Sequence, residues 1–143
     1  MAFRRNFTSC GEKKSKYNNK KVVYNGISFD SKKEMERYMF LLDAESKGFI
    51  TDLKRQVKFE LIPAVREEYV EHLKTKDKVK TRTLQLAITY TCDFAYRKDG
   101  ELVIEDVKAS PKMLPKEYIL KKKLLFALHR ISIKEIYKPN QTI

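Results

Sequence analysis

Asp93 and Asp106 lie in two alternating stretches, Leu84 to Tyr96 and Glu101 to Ala109, joined around Asp99-Gly100. Asp-Gly is a strong signal for a two-residue type I′ hairpin turn, because both central residues tolerate positive φ. Such a turn pairs Lys98 with Glu101, and counting back along the strands sets Asp93 opposite Asp106. Side chains alternate along a strand, so both carboxylates project from one face, and Lys108 joins them beside Thr91. Two facing carboxylates repel unless something compensates. A hard divalent cation does so, and a lysine beside it orients water or stabilises a phosphorane-like transition state.

The same three residues also read as a salt-bridge cluster on a solvated sheet face. A second register is open as well. A three-residue loop with a G1 bulge sets Asp93 against Glu105 and turns Asp106 to the opposite face. The two-residue turn is preferred here because it gathers Asp93, Asp106 and Lys108, which leaves Glu105 as a group that supports the site or marks a wrong register. Glu34 is a further acid of interest. Ser31-Lys32-Lys33-Glu34 forms a capping box, in which a glutamate at N3 reaches back to the N-cap amide, and as a single residue Glu34 needs no other role. In the first turn of a helix packed on the sheet, it also supplies a further ligand to a metal held by Asp93 and Asp106.

The elements that position these residues follow from periodicity and punctuation. Val22-Val23-Tyr24 and Ile27-Ser28-Phe29 flank Asn25-Gly26 and predict a small hairpin. A helix follows, capped by Asp30 or Ser31 and stopped by Gly48, with Met35, Tyr38, Met39 and Leu42 as its apolar stripe. Arg55 to Leu61 alternates, with Val57, Phe59 and Leu61 on one side, and ends before Pro63 as a half-buried strand. Residues 64–83 are highly charged and fit a long hairpin excursion, a short helix or a loop. After the two acid-bearing strands, the prolines of "SPKMLPKEY" mark a loop and a helix start. The second helix runs from about Lys116 to His129 on Leu120, Leu124, Ala127 and Leu128, and Ile131 to Tyr137 closes the chain as a strand. The order predicts a single α/β domain over residues 22–143, of the α+β kind: a central mixed sheet flanked by helices.

The chain has 143 residues, with 31 Lys and Arg against 19 Asp and Glu, a formal net charge of +12. That balance points to a polyanionic partner, most often nucleic acid. Residues 1–21 carry Arg4, Arg5, Lys13 and Lys14 without apolar periodicity, and read either as a flexible arm lying along phosphates or as a solubilising tail. Lys121, Lys122 and Lys123 add a basic run on the second helix. No apolar run has the length of a membrane span and no secretory leader is visible, so a cytoplasmic protein is expected. Cys10 and Cys92 stand far apart without metal-ligand spacing, and Cys92 reads as a buried strand residue. His72 and His129 lie in no histidine-nuclease context. No GxxxxGK[ST] loop is present, so no nucleotide cofactor is expected.

Glutamate in the first helix, "DF" on one strand and acid-x-Lys on the next together resemble the PD-(D/E)xK nuclease superfamily. The wider pattern "FDSKKE…RY…KG.I..L.RQ..F.L…Y..DF.Y…G…VEDVK" is similar to a phage family of endonuclease-like proteins within it, from about Tyr24 to Tyr137. The resemblance implies a restriction-endonuclease-like core. It implies Asp93 and Asp106 as metal-binding acids, the Val107 carbonyl as a backbone ligand, Lys108 as the catalytic lysine and Glu34 as the helix glutamate. Gln56 falls where relatives carry a strand glutamine near the site, and equally fits an exposed polar position. Thr91-Cys92 stands where a proline often precedes the aspartate, and Asp106 where glutamate is commoner.

The resemblance further implies phosphodiester hydrolysis with Mg²⁺, for which Mn²⁺ substitutes. Its small members with a helix glutamate include resolvases of branched DNA. The expectation is therefore a structure-selective DNA endonuclease, a Holliday-junction resolvase acting as a homodimer. The alternatives are a non-catalytic basic DNA-binding protein and a restriction-like enzyme cutting a defined sequence.

Overall fold

The computed structural model describes residues 21–143. The expected basic arm, with Arg4, Arg5, Cys10, Lys13 and Lys14, lies outside the described residues, apart from Lys21.

Val22–Tyr24 (β1) and Ile27–Phe29 (β2) pair as the expected antiparallel hairpin. Asn25 and Gly26 both take positive φ, 49° and 76°, as a type I′ turn requires. Helix α1 spans Lys32–Ser46 with Ser31 as its N-cap, whose hydroxyl accepts from the Glu34 amide at 3.2 Å. The Glu34 carboxylate reaches back to the Asp30 amide at 3.2 Å, one residue beyond the N-cap amide that a capping box engages. Gly48, with φ of 76°, ends the helix turn as predicted.

The buried face of α1 differs from the expected apolar stripe. Glu34, Arg37, Leu41 and Ala44 are buried, while Met39 and Leu42 are exposed. Arg37 explains the rotation. Its guanidinium is fully buried and clamps Glu105, with Nε to Oε2 at 2.8 Å and Nη2 to Oε1 at 2.5 Å, and it also donates to the carbonyls of Pro139 and Gln141. With Glu105 buried opposite, turning Arg37 outward would strand a buried carboxylate, so this face of the helix stays toward the sheet.

Thr51–Arg55 (β3), Lys58–Ile62 (β4), Val65–His72 (β5), Asp77–Gln85 (β6), Ile88–Thr91 (β7), Phe94–Lys98 (β8) and Glu101–Val107 (β9) follow. The expected strand from Arg55 breaks at Gln56, which sits at φ of 50°, and the expected strand from Leu84 to Tyr96 is broken twice, the second time at Cys92-Asp93. Gln56 and Cys92-Asp93 are stitched together: the Gln56 amide donates to the Asp93 carbonyl and the Cys92 amide to the Val57 carbonyl, each at 3.0 Å. Both chains thus leave one sheet and enter another at the same level.

Helix α2 (Lys116–His129) and strand β10 (Ile133–Ile136) complete the chain. The main sheet runs β10-β9-β8-β3 and is mixed, since β9 pairs parallel with β10 and antiparallel with β8. One face carries Phe94 and Tyr96 against Leu41, Ala44 and Ile50 of α1 and its following turn. The other carries Ala95, Ile104 and Ile133 against Tyr118 and Leu125 of α2, together with Leu61 and Tyr90. The expected α2 stripe is also rotated: Leu120 and Leu128 are exposed, and the fully buried positions are Tyr118 and Leu125. The architecture is mixed α and β, with helices on both faces of the main sheet.

Strands β4 to β7 form two successive two-stranded ladders that follow one another along the same two segments as a ribbon. The ladder of β4 with β7 starts at Lys58 opposite Thr91, and after small register shifts the ladder of β5 with β6 carries it on to His72 opposite Asp77. The charged excursion at 64–83 is therefore a hairpin.

Candidate active site

The β8–β9 register decides which acid faces Asp93. Lys98 pairs with Glu101 and Phe94 with Glu105 around a two-residue turn, in which Asp99 and Gly100 have φ of 52° and 84°. The bulged alternative is excluded. One step beyond the last paired residues, Asp93 lies at the level of Asp106, on the face that α2 covers. The strand break frees the Asp93 side chain to accept the Val107 amide at 2.7 Å, so the carboxylate caps the ladder where a strand carbonyl is missing.

Asp106 is only 4% exposed. Its Oδ2 accepts from the Tyr90 hydroxyl at 2.9 Å and from Lys108 Nζ at 2.8 Å. Lys108 in turn lies 4.1 Å above the Tyr118 ring centroid, a cation–π contact that holds the ammonium beside the acids. The Asp93 and Asp106 carboxylates approach within reach of a shared proton, and burial followed by the Asp106 charge pushes Asp93 up to about 8. Burial and the Asp106 charge likewise raise the Tyr90 hydroxyl, which stays a donor. Burial lifts the Cys92 thiol to about 11 and leaves it an inert core group, as the sequence suggests.

These groups open onto a cleft of about 500 Å³ lined by Thr89, Tyr90, Thr91, Asp93, Asp106, Lys108, Pro115, Glu117, Tyr118 and Lys121. A larger groove, about 650 Å³, lies elsewhere on α2 between Leu114, Phe126 and Ile133, but it is mostly apolar and its one acid, Glu135, is ion-paired with Lys122 at 2.6 Å. The smaller cleft is the one lined by Asp93, Asp106 and Lys108.

The structure brings Asp93, Asp106, Lys108, Thr91 and Lys121 together and separates the rest. Glu105 faces away, buried between Arg37 and the Tyr96 hydroxyl at 2.7 Å, so its role is to hold α1 and not to support the cleft. Gln56 contributes its amide to the Asp93 carbonyl, while its side chain is exposed and does not line the cleft. Of the basic run, Lys121 reaches the cleft and pairs with Glu117 at 2.8 Å, Lys122 turns to Glu135 and Lys123 is exposed.

Glu34 stands at the margin. It does not line the cleft, yet its Oε1 is buried without a hydrogen-bond partner. Burial raises its pKa, and the Asp106 charge adds to the rise, so the three acids share one field.

Among the described residues no group of three or more His, Cys, Asp and Glu side chains converges on one point. Two adjacent carboxylates are nonetheless a fitting donor set for Mg²⁺, which keeps several waters and uses one or two protein carboxylates plus substrate phosphate. The orphaned Glu34 oxygen is a further hard donor in the same field.

Residues 14–139 match the family described as a protein of unknown function, DUF1064. The chain belongs to the DUF1064 family. No curated protein and no solved structure matches it.

Several residues that build this DUF1064 site carry no clear signal in the sequence. Tyr90 and Tyr118 look like ordinary core aromatics, and only the need of a buried hydroxyl for a partner hints that each sits beside an acid. Tyr118 donates to Glu135 at 3.2 Å, and Tyr137 donates to the same carboxyl. Burial acts to raise Glu135, but the bonds from Lys122, Tyr137 and Tyr118 outweigh it and leave its pKa lowered.

Proposed function

We propose that this chain is a metal-dependent DNA endonuclease of the PD-(D/E)xK type, with a restriction-endonuclease-like core, that resolves four-way junctions as a homodimer in the cytoplasm. The pairing of the Asp93 and Asp106 carboxylates beneath an open cleft carries this reading. Two adjacent buried acids are costly to a fold with nothing between them, and a cation offsets that cost. The net charge of +12 supplies attraction to a polyanion.

Mg²⁺, when bound, supplies Lewis acidity toward a phosphate oxygen and lowers the pKa of a water. Asp93 and Asp106 would hold it, with the Val107 carbonyl as a further ligand, and Glu34, which does not line the cleft, would join them only if its carboxylate turned inward. Asp93 is fixed by the Val107 amide and Asp106 by the Tyr90 hydroxyl, so the pair is preorganised by strand geometry. Lys108, braced on Tyr118, is placed to hold the attacking water or a non-bridging phosphate oxygen. Lys121 at the cleft mouth and Lys123 on the exposed side of α2 contact flanking phosphates. Cutting two opposed strands takes two such sites, hence the homodimer.

Among the described residues no third acid converges on the pair, which favours a second reading, a non-catalytic DNA-binding protein in which the acids are structural. Cleavage of labelled four-way junction, linear duplex and single strand with Mg²⁺ separates the two. Paired symmetric cuts in the junction, lost in Asp106→Ala and Lys108→Ala, are the expected result. Intact DNA on every substrate despite tight binding establishes the binder instead, and cutting of linear duplex at one sequence establishes a restriction-like enzyme.

A further inference from the structure

The β4–β7 and β5–β6 ribbon begins at the cleft and ends far from it. Thr89, Tyr90 and Thr91 at its base line the cleft, and Asp93 follows two residues later. Beyond Val65, among the described residues, no helix and no other strand packs substantially on the ribbon, and the extensive partner of β5 is β6. Eight residues of strand rise about 26 Å. With β4 and its link to β5 added, the fifteen residues from Lys58 to His72 span at most about 50 Å, which is one to one and a half duplex turns of roughly 34 Å, and a two-stranded ribbon has the width to enter a major groove.

Charge is sorted along this arm. On its shaft the cations Arg66, Lys80 and Arg82 are balanced by Glu67, Glu68 and Glu71, with Arg82 paired to Glu67 at 2.6 Å and Lys80 to Glu71 at 2.5 Å. At its tip they are not. Lys74, Lys76 and Lys78 are exposed and make no ion pair among the described residues, and Glu71, although opposite Lys78 in register, gives its carboxylate to Lys80. The nearby Asp77 is engaged by His72 at 2.8 Å. A neutralised shaft with a free cationic tip is unsuited to pairing with a second copy tip to tip, where like charges meet, and it suits phosphates.

We propose that the ribbon is a DNA-contacting arm: with a strand in the cleft, the Lys74, Lys76 and Lys78 tip binds the duplex backbone about one to one and a half turns away. This rests on the endonuclease reading and adds to it a second anchoring point that sets where the duplex lies.

The test is equilibrium binding of a labelled duplex to metal-free full-length protein across a series of salt concentrations. The wild type is compared with the triple variant Lys74→Ala/Lys76→Ala/Lys78→Ala and with a charge-matched control, Lys47→Ala/Lys54→Ala/Lys138→Ala, whose lysines are also exposed. Each lost phosphate contact lowers the slope of log K against log salt by about 0.9, so the tip variant is expected to lose about 2 to 3 from the slope and at least tenfold in affinity. The control is expected to keep the wild-type slope, and all three proteins the same melting temperature. An unchanged slope in the tip variant, or an equal loss in the control, overturns the arm while leaving the endonuclease reading intact if the wild type still cuts. Loss of self-association in the tip variant with an unchanged slope also overturns it, in favour of contact between copies. A wild type that neither binds nor cuts DNA overturns both readings together.

Discussion

Asp93 is the residue where stability and proposed function pull in opposite directions. Its folded-state pKa is raised from the ordinary 3.8 to about 8, so between those values the folded chain holds a proton that the unfolded chain has released. Stability from this group is fully present below the lower value and is lost as pH rises through the upper one. Asp93→Asn keeps an acceptor for the Val107 amide and gives Asp106 a donor. It is expected to stabilise the metal-free protein by about 1–3 kcal/mol near pH 8.5 and to do little near pH 4. Thermal melts of both proteins across this range check it, and parallel curves count against the paired acids. Added Mg²⁺ is expected to raise the wild-type melting temperature at pH 8 and to leave Asp93→Asn unmoved. The pairing behind this behaviour was legible in part: Asp99-Gly100 signals a two-residue turn, but the bulged register stayed open, and the choice between them rested on which one gathered the acids. Glu105 was not legible, since its fate depends on Arg37, and a helix arginine with charged neighbours reads as a surface residue.

At the scale of elements, α1 is held to the sheet by the apolar packing of Leu41 and Ala44 and by a buried charge pair that the sequence does not announce. Arg37 joins the helix to Glu105 on β9 and to the C-terminal turn through Pro139 and Gln141. Arg37→Ala is expected to cost about 3–5 kcal/mol, because it strands a buried carboxylate. Arg37→Met combined with Glu105→Leu is expected to recover most of that loss, with the Tyr96 hydroxyl left unpaired. Denaturant unfolding of the two single variants and the double variant measures the coupling, and additive effects argue against the clamp. Both helices were located by their caps and stops to within a residue or so, whereas both buried faces were misassigned. Each helix has apolar residues around most of its circumference, so periodicity finds the helix without selecting its inner side. The strand break at Cys92 was hidden for a related reason: Tyr90, Cys92, Phe94 and Tyr96 keep alternating across the point where the chain changes sheets.

The whole molecule divides into a layered body and an arm, and the two differ in what holds them. In the body, β8 and β9 are covered by α1 on one face and α2 on the other, and Phe94, Ile104 and Glu105 are fully buried. Along the arm, Val65, Tyr69, Val70 and Val79 are all exposed, and the strands hold each other through their ladder and a few surface ion pairs. A two-stranded hairpin without a third layer is marginally stable in water, and surface ion pairs add about 0–1 kcal/mol each. Local opening of β5 and β6 is therefore expected to cost far less than global unfolding, while β8 and β9 open only with the whole fold. Hydrogen exchange read by mass spectrometry separates these cases. Peptides spanning 65–85 are expected to exchange orders of magnitude faster than peptides spanning 94–107 in the free protein. Protection of the arm equal to that of β8 and β9 is the outcome that contradicts the division, because it requires a packed layer over the ribbon. With duplex DNA added, the arm peptides are expected to slow while β9 peptides hold steady, since ordering a loosely held ribbon is where binding to its tip changes the ensemble most.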